Sequence, residues 1–87
     1  MALSLTGLQA VVAVAETGSY TLAARRLGRT QGTVSRAVDG VEAELGGVKL
    51  FERNQAGTQI TDEGRRLVEQ VRPALEAIDG AVASLMR

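Results

Sequence analysis

Four arginines lie in the segment YTLAARRLGRTQGTVSRAV, residues 20–38, which contains no acidic residue. Guanidinium groups bind phosphate and can pair with guanine in the major groove, so this segment could do the chemistry of nucleic-acid binding. The arginines are Arg25, Arg26, Arg29 and Arg36. The formal net charge of the 87-residue chain is zero, but phosphate contact depends on the local field. The sequence therefore predicts a basic face on a neutral protein, although Arg25 and Arg26 could equally be solvated surface residues.

The spacing of small, apolar and turn residues in this segment predicts two short helices joined at a tight corner, which would position these side chains. Ala24 supplies the small residue that such a corner needs, and Gly28 supplies the turn. Thr30 can cap the second helix. Apolar residues recur every three or four positions along that helix, at Val34, Val38, Val41 and Leu45. We interpret the segment as a helix-turn-helix, a DNA-binding unit.

Polar residues fall on the side of the second helix opposite its apolar row. Glutamine can pair with adenine, arginine with guanine, and serine or threonine can contact bases or phosphates. Free amides in the first turn would add a phosphate site. This outward set is Gln31, Gly32, Ser35, Arg36 and Asp39. The alternative is an ordinary solvated helix face, and Asp39 would repel the DNA backbone.

The flanking segments predict a helix before this unit and a hairpin after it. Leu8, Val11, Val12 and Ala15 have helical spacing, and no basic residue precedes them to form a signal peptide. No segment is long enough to span a membrane. The residues Lys49–Arg53 and Thr58–Thr61 flank a turn at 54–57 and predict a two-stranded hairpin. Phe51, the single Phe, is predicted to fill the gap between hairpin and helices.

A long last helix is predicted from Thr61, which can act as its cap. Its apolar residues alternate steps of four and three and form a stripe wider than a small domain needs, which favours dimerisation. The predicted dimerisation residues are Leu67, Val71, Ala74, Leu75, Ile78, Val82 and Leu85. The alternative is a helix folded back on its own domain. Pro73 predicts a kink without a break.

Enzymatic chemistry has almost no support in this composition. The chain contains no histidine and no cysteine, which excludes the usual zinc sites and disulfides. It also lacks a glycine-rich phosphate loop and an isolated carboxylate pair in an apolar setting. We therefore predict no catalytic, cofactor-binding or metal-binding residues. The absence of cysteine fits a reducing cytoplasm, the predicted location.

The segment SLTGLQAVVAVAETGSYTLAARRLGRTQGTVSRAVDGVEAELGGVKLFER closely resembles the N-terminal winged helix-turn-helix of LysR-type transcriptional regulators. QITDEG resembles the start of that family's linker helix. The resemblance implies a mainly α fold with a three-helix core, a two-stranded wing and a long dimerisation helix. A molybdate-regulator type of winged helix is a related alternative, which the run TQGTVSR disfavours.

The resemblance also implies roles for particular residues. Ser19 and Thr21 would contact the DNA backbone, and Arg53 on the wing would reach phosphate or the minor groove. Arg29 is included among the DNA-binding candidates. The groove-facing set would be Thr30, Gln31, Gly32, Thr33, Ser35 and Arg36. One extra residue near Gly46-Gly47, relative to the family's usual interval, leaves the position of the wing open.

From these observations we predict a DNA-binding domain at residues 1–60 and a dimerisation helix at residues 61–87. The predicted partners are double-stranded DNA and a second copy of the chain, with no membrane. We expect the effector-binding domain that the resemblance implies to be missing from these 87 residues. The competing hypothesis is a protein-interaction module that uses the helix-turn-helix and the final apolar helix.

Overall fold

The computed structural model describes residues 3–86, so the outermost residues of both predicted domains, 1, 2 and 87, lie outside it. Within this range the chain forms four helices and one antiparallel hairpin, and the predicted winged helix-turn-helix fold is confirmed. In chain order the elements are α1 (Leu5–Thr17), α2 (Tyr20–Leu27), α3 (Gln31–Glu44), β1 (Phe51–Asn54), β2 (Gly57–Ile60) and α4 (Asp62–Leu85).

The core lies between α1, α2 and α3 and is built from aliphatic side chains. Val11 and Val14 of α1 meet Val34 and Val38 of α3, and all four are fully buried. Val11, Val34 and Val38 belong to the apolar rows that the sequence predicted, whereas Val14 lies outside the predicted row of α1. Burial of one stripe on each helix holds the bundle together. Gly7 allows α1 to approach α3, because an added Cβ would lie 2.7 Å from Cγ2 of Val41.

The corner between α2 and α3 is closed by a Schellman motif. The Gly28 N–H donates to the Arg25 carbonyl at 3.3 Å, and the Arg29 N–H donates to the Ala24 carbonyl at 2.9 Å. Gly28 has φ of 66°, a left-handed conformation that favours glycine. The buried Ala24 and the turn at Gly28 thus occupy the positions that the sequence predicted for them.

The additional residue at Gly46-Gly47 is absorbed by a second Schellman motif at the end of α3. Gly46 donates to the Ala43 carbonyl at 3.0 Å, and Gly47 donates to the Glu42 carbonyl at 2.8 Å. Both glycines have positive φ, 79° and 89°. The turn lengthens the exit from the helix, and the hairpin still begins at Phe51.

The wing hairpin is shifted by one or two residues from the predicted strands. Phe51 pairs with Ile60, and Asn54 pairs with Gly57, which leaves a two-residue turn at 55–56. Lys49 and Thr61 lie outside the two strands, where the Thr61 hydroxyl donates to the Lys49 carbonyl at 2.7 Å and its oxygen caps α4. The Thr61 N–H still donates to the Leu50 carbonyl at 2.9 Å, so backbone pairing continues one position past Ile60 before α4 begins.

Phe51 is 6% exposed and packs edge-on against the Tyr20 ring, with centroids 6.2 Å apart. Its predicted place between hairpin and helices is confirmed.

The last helix, α4, continues without a break through Pro73, as predicted. An added Cβ on Gly64 would collide with the Leu50 carbonyl oxygen and lie 2.8 Å from Cγ1 of Ile60. The start of α4 is therefore packed directly onto the wing.

Candidate nucleic-acid interface

The first turn of α3 forms an exposed polar surface beside the helix corner. Thr30 caps the helix, because its Oγ1 accepts from the Thr33 amide at 3.1 Å. The Thr30 hydroxyl donates in turn to Oγ1 of Thr33 at 2.8 Å. Gln31 and Gly32 follow on the solvent side, while Val34 is turned into the core. The predicted division of α3 into a core side and a solvent side is present.

The remaining predicted contacts on α3 extend this surface by one turn. Arg36 is exposed, and its Nη2 donates to Oγ1 of Thr33 over a long 3.4 Å. Thr21 of α2 reaches the same surface, where its hydroxyl donates to Oε1 of Gln31, also at 3.4 Å. Distances of this length indicate weak hydrogen bonds that DNA groups can replace. The structure thus brings residues from α2 and α3 to one face.

Ser19 has a structural task at the start of α2. Its Oγ accepts from the Leu22 amide at 3.1 Å, so Ser19 is the N-cap of the helix. The side chain is only partly exposed. A phosphate at this position would meet the free amides of the first turn of α2, which carry the positive end of the helix dipole.

Arg53 joins the wing to the recognition helix α3. Its Nη2 donates to Oγ of Ser35 at 3.2 Å, and its Cζ lies 3.6 Å from the centroid of the Tyr20 ring. This distance is well inside the range for a cation–π contact. Arg53 therefore lies on the wing as predicted, and its guanidinium contacts α2 and α3 together.

The basic face is smaller than the arginine count suggested. Arg26 is paired through a contact of 2.7 Å with Glu16, an acid outside the segment 20–38, and so adds no unpaired charge to the predicted basic face. Glu16 also forms an ion pair with Arg72 of α4, with 3.0 Å between Oε2 and Nε. The sequence separates Glu16 and Arg26 by ten positions, but packing of α1 on α2 brings them together. Within residues 3–86, no acidic side chain lies within 4 Å of the charged groups of Arg25, Arg29, Arg36 or Arg53.

Sequence reasoning missed the part played by Glu42. This carboxylate is buried, accepts from the Leu50 amide at 2.8 Å and lies 3.7 Å from Nζ of Lys49. It thereby fixes the segment that leads into the wing. Its position one helical turn after Val38, in the apolar row, was the signal available in the sequence. A charged residue in such a row is buried only where it has a partner.

Tyr20 was also missed as a member of the site. It is 7% exposed, and burial raises the pKa of its hydroxyl, an effect that the nearby positive charge of Arg53 opposes. A cleft beside its ring is lined by Ser35, Asp39 and Arg53. Asp39 and the wing arginine thus line one cleft.

The predicted dimerisation residues divide into two groups along α4. Leu67, Val71 and Leu75 are partly buried against the core of their own chain, next to the buried Val68. The other members are exposed, namely Ala74, Ile78, Val82 and Leu85. The back-folded alternative therefore describes the first half of the helix, and the second half extends beyond the core.

The part of the chain that the structure describes has neither a candidate metal site nor a candidate membrane span. Residues 3–86 contain no group of three or more acidic residues arranged to hold a metal ion. No helix in the same range combines the length and the apolar character needed to cross a membrane. The exposed polar face formed by α2, α3 and β1 carries the arginines that could contact phosphates or bases.

Residues 5–65 match the family model described as bacterial regulatory helix-turn-helix protein, lysR family. The chain belongs to the LysR family. A probable hydrogen peroxide-inducible genes activator of Mycobacterium xenopi is 43% identical over 81 residues, which cover 93% of this chain and 42% of that relative. The chain thus spans less than half of this relative and 26% of the one from Mycobacterium leprae. LysR regulators are not a class of enzymes.

Solved structures of LysR proteins have the same fold. The BenM DNA-binding domain in complex with catB site 1 DNA is similar with a TM-score of 0.86 and 33% identity, over 97% of this chain and 93% of that one. A cysteine-to-serine variant of Corynebacterium glutamicum OxyR with bound hydrogen peroxide gives a TM-score of 0.93 at 27% identity, over 99% of this chain and 27% of that one. The first comparison relates almost the whole of this chain to a DNA-binding domain.

Proposed function

We propose that this LysR chain binds duplex DNA sequence-specifically, as a homodimer, within a bacterial transcriptional regulator that acts in the cytoplasm. The observation that carries the proposal is the exposed first turn of α3, where an amide, hydroxyls and a guanidinium stand on a capped helix N-terminus. These groups can reach base edges and phosphates in a major groove. The similarity to a LysR domain solved with DNA supports the same interpretation.

In this proposal α3 enters the major groove, and each group has a distinct task. Gln31 and Arg36 read base edges, and the amide of Gly32 approaches the backbone without a side chain in the way. Thr30, Thr33 and Ser35 donate to bases or phosphates, and Arg29 contacts phosphate. Ser19 and Thr21 hold the backbone beside α2. Two copies joined through residues 61–87 would place their recognition helices in successive major grooves, about 34–36 Å apart.

Fluorescence anisotropy with duplex DNA from the regulator's own upstream region tests this proposal. We expect selective binding that weakens steeply as salt is raised, because phosphate contact releases counterions. Arg36→Ala should reduce discrimination at one base position by about 1–3 kcal/mol. Arg66→Ala on α4 removes the same charge outside the α3 surface and should preserve the discrimination.

Two results would contradict the proposal. If Arg36→Ala and Arg66→Ala lost selectivity equally, Arg36 would not be a residue that reads a base. Absence of selective binding, both with the upstream duplex and in a selection from a random duplex pool, would favour the protein-interaction hypothesis for the α3 surface.

A further inference from the structure

We propose that Tyr20, Ser35 and Arg53 form a wing latch, in which Arg53 is a positioning residue that holds the hairpin against α3 and orients the Ser35 hydroxyl. The inference rests on the proposed DNA-binding function, and it adds the contact that holds the wing in place against α3. The guanidinium of Arg53 lies 3.6 Å from the Tyr20 ring centroid, and its Nη2 lies 3.2 Å from Oγ of Ser35. One side chain of β1 thereby joins α2 and α3.

The Tyr20 ring is a fixed platform for this contact. It is buried, and it packs edge-on against Phe51 at an interplanar angle of 75°. A planar guanidinium can stack on such a ring while its fork of N–H groups remains free to donate. Lysine has the same charge but offers neither the plane nor the fork. The latch therefore depends on arginine at position 53 and not only on a positive charge.

The hairpin needs a second point of attachment. Of the residues in β1, only Phe51 is buried, and the strand residues 52–54 are exposed. A two-stranded hairpin is marginally stable without packing against another element. Leu50 and Phe51 anchor its base, whereas Arg53 lies one residue before the end of β1, near the turn. Arg53 is thus placed to restrict how far the tip of the wing can swing away from α3.

The latch also constrains Ser35. Its Oγ already accepts a hydrogen bond from Arg53, so the hydroxyl hydrogen is available for an acceptor on the DNA side. That acceptor can be a phosphate oxygen or an acceptor atom on a base edge. Asp39 lines the same cleft, and its negative charge favours retention of the guanidinium there.

Arg53→Lys separates the latch from a simple phosphate contact, because charge is retained while stacking is lost. We expect Arg53→Lys to weaken binding to the selected duplex about tenfold with an unchanged salt dependence. Hydrogen exchange of the amides at 52–59 in the DNA-free protein should accelerate. Arg66→Lys makes the same exchange at an exposed residue of α4, away from the latch, and should remain within about twofold of the unsubstituted chain in both measurements.

A double-substitution cycle with Ser35→Ala completes the test. If Arg53 acts through Ser35, Arg53→Lys and Ser35→Ala together should weaken binding little more than the stronger single change. Additive losses of affinity in the double variant would overturn the latch. It would also be overturned if Arg53→Lys had the same affinity and the same hydrogen exchange at 52–59 as the unsubstituted chain. Failure of the unsubstituted chain to bind any duplex selectively would instead overturn the proposed function, and hairpin exchange in Arg53→Lys would still decide whether the latch exists.

Discussion

The two halves of α4 have the same apolar spacing but lie in different surroundings. In the first half, Gly64 touches the wing and Val68 is 5% exposed within the core. In the second half, Ile78, Val82 and Leu85 are 43%, 53% and 87% exposed. The difference follows from length, because 24 residues at about 1.5 Å each extend roughly 36 Å, beyond the reach of the three-helix core.

This comparison shows that one continuous stripe can have two roles. The first half packs α4 onto the core and the wing, and the second half leaves the same kind of side chain exposed, where the proposed dimer contact would form. Arg72, which pairs with Glu16 of α1, lies between the two halves. Substitutions that act on one half alone can therefore test whether the roles are separate.

The largest expected effect on stability is at Phe51, the buried residue at the base of the hairpin. Phe51→Ala removes a buried ring through which the hairpin packs on Tyr20. It should lower the free energy of unfolding by about 3–5 kcal/mol. Chemical denaturation measures the loss. Leu22→Ala, at a residue 47% exposed, is the control and should change stability far less. An almost unchanged denaturation midpoint for Phe51→Ala would contradict its role as a core residue.

A pair of glycine substitutions contrasts the halves directly. Gly64→Ala places a methyl group against the Leu50 carbonyl and Ile60 and should destabilise the chain by about 1–3 kcal/mol. At Gly80 an added Cβ meets nothing within 4 Å, so Gly80→Ala should stabilise the helix by up to about 1 kcal/mol. Thermal melting and hydrogen exchange along α4 measure both changes. The same sign in both variants would disprove the contrast.

Charges in the second half should act on association and not on folding. Ile78→Glu with Val82→Glu is expected to weaken self-association at least about tenfold, because the interface would have to bury unpaired carboxylates. Sedimentation equilibrium measures the dissociation constant. Ala83→Glu with Ser84→Glu adds the same charge on the other side of the helix and serves as the control. Equal effects in the two variants would exclude this stripe as the dimer contact.

The smallest effect is expected where the halves meet. Arg72→Ala removes one ion pair whose side chains are 47% and 34% exposed, and should cost about 0.2–1 kcal/mol in unfolding free energy. Denaturation at low and high salt measures it, and the difference from the unsubstituted chain should shrink as salt screens the pair. A loss of several kcal/mol would mean that Glu16 anchors α4 more strongly than its exposure indicates.

The sequence by itself determined the elements and the face that they present. Helical spacing at Val34 and Val38, the cap at Thr30 and the turn at Gly28 specify the helix-turn-helix, because each depends on residues close together in the chain. Local rules also predicted the hairpin and the cap at Thr61, although they misplaced the strand ends. There, Thr61 ends its strand by capping α4, while its N–H still pairs with the Leu50 carbonyl.

Only the tertiary structure decided which charges remain free, where α4 leaves the core and what Arg53 contacts. Glu16 reaches Arg26 and Arg72, and Arg53 reaches Tyr20 and Ser35, across separations in the chain that no local pattern encodes. The spacing of apolar residues along α4 is likewise continuous through the point at which burial ends. Periodicity specifies the face of a helix, whereas the length of the neighbouring helices decides how much of that face is covered.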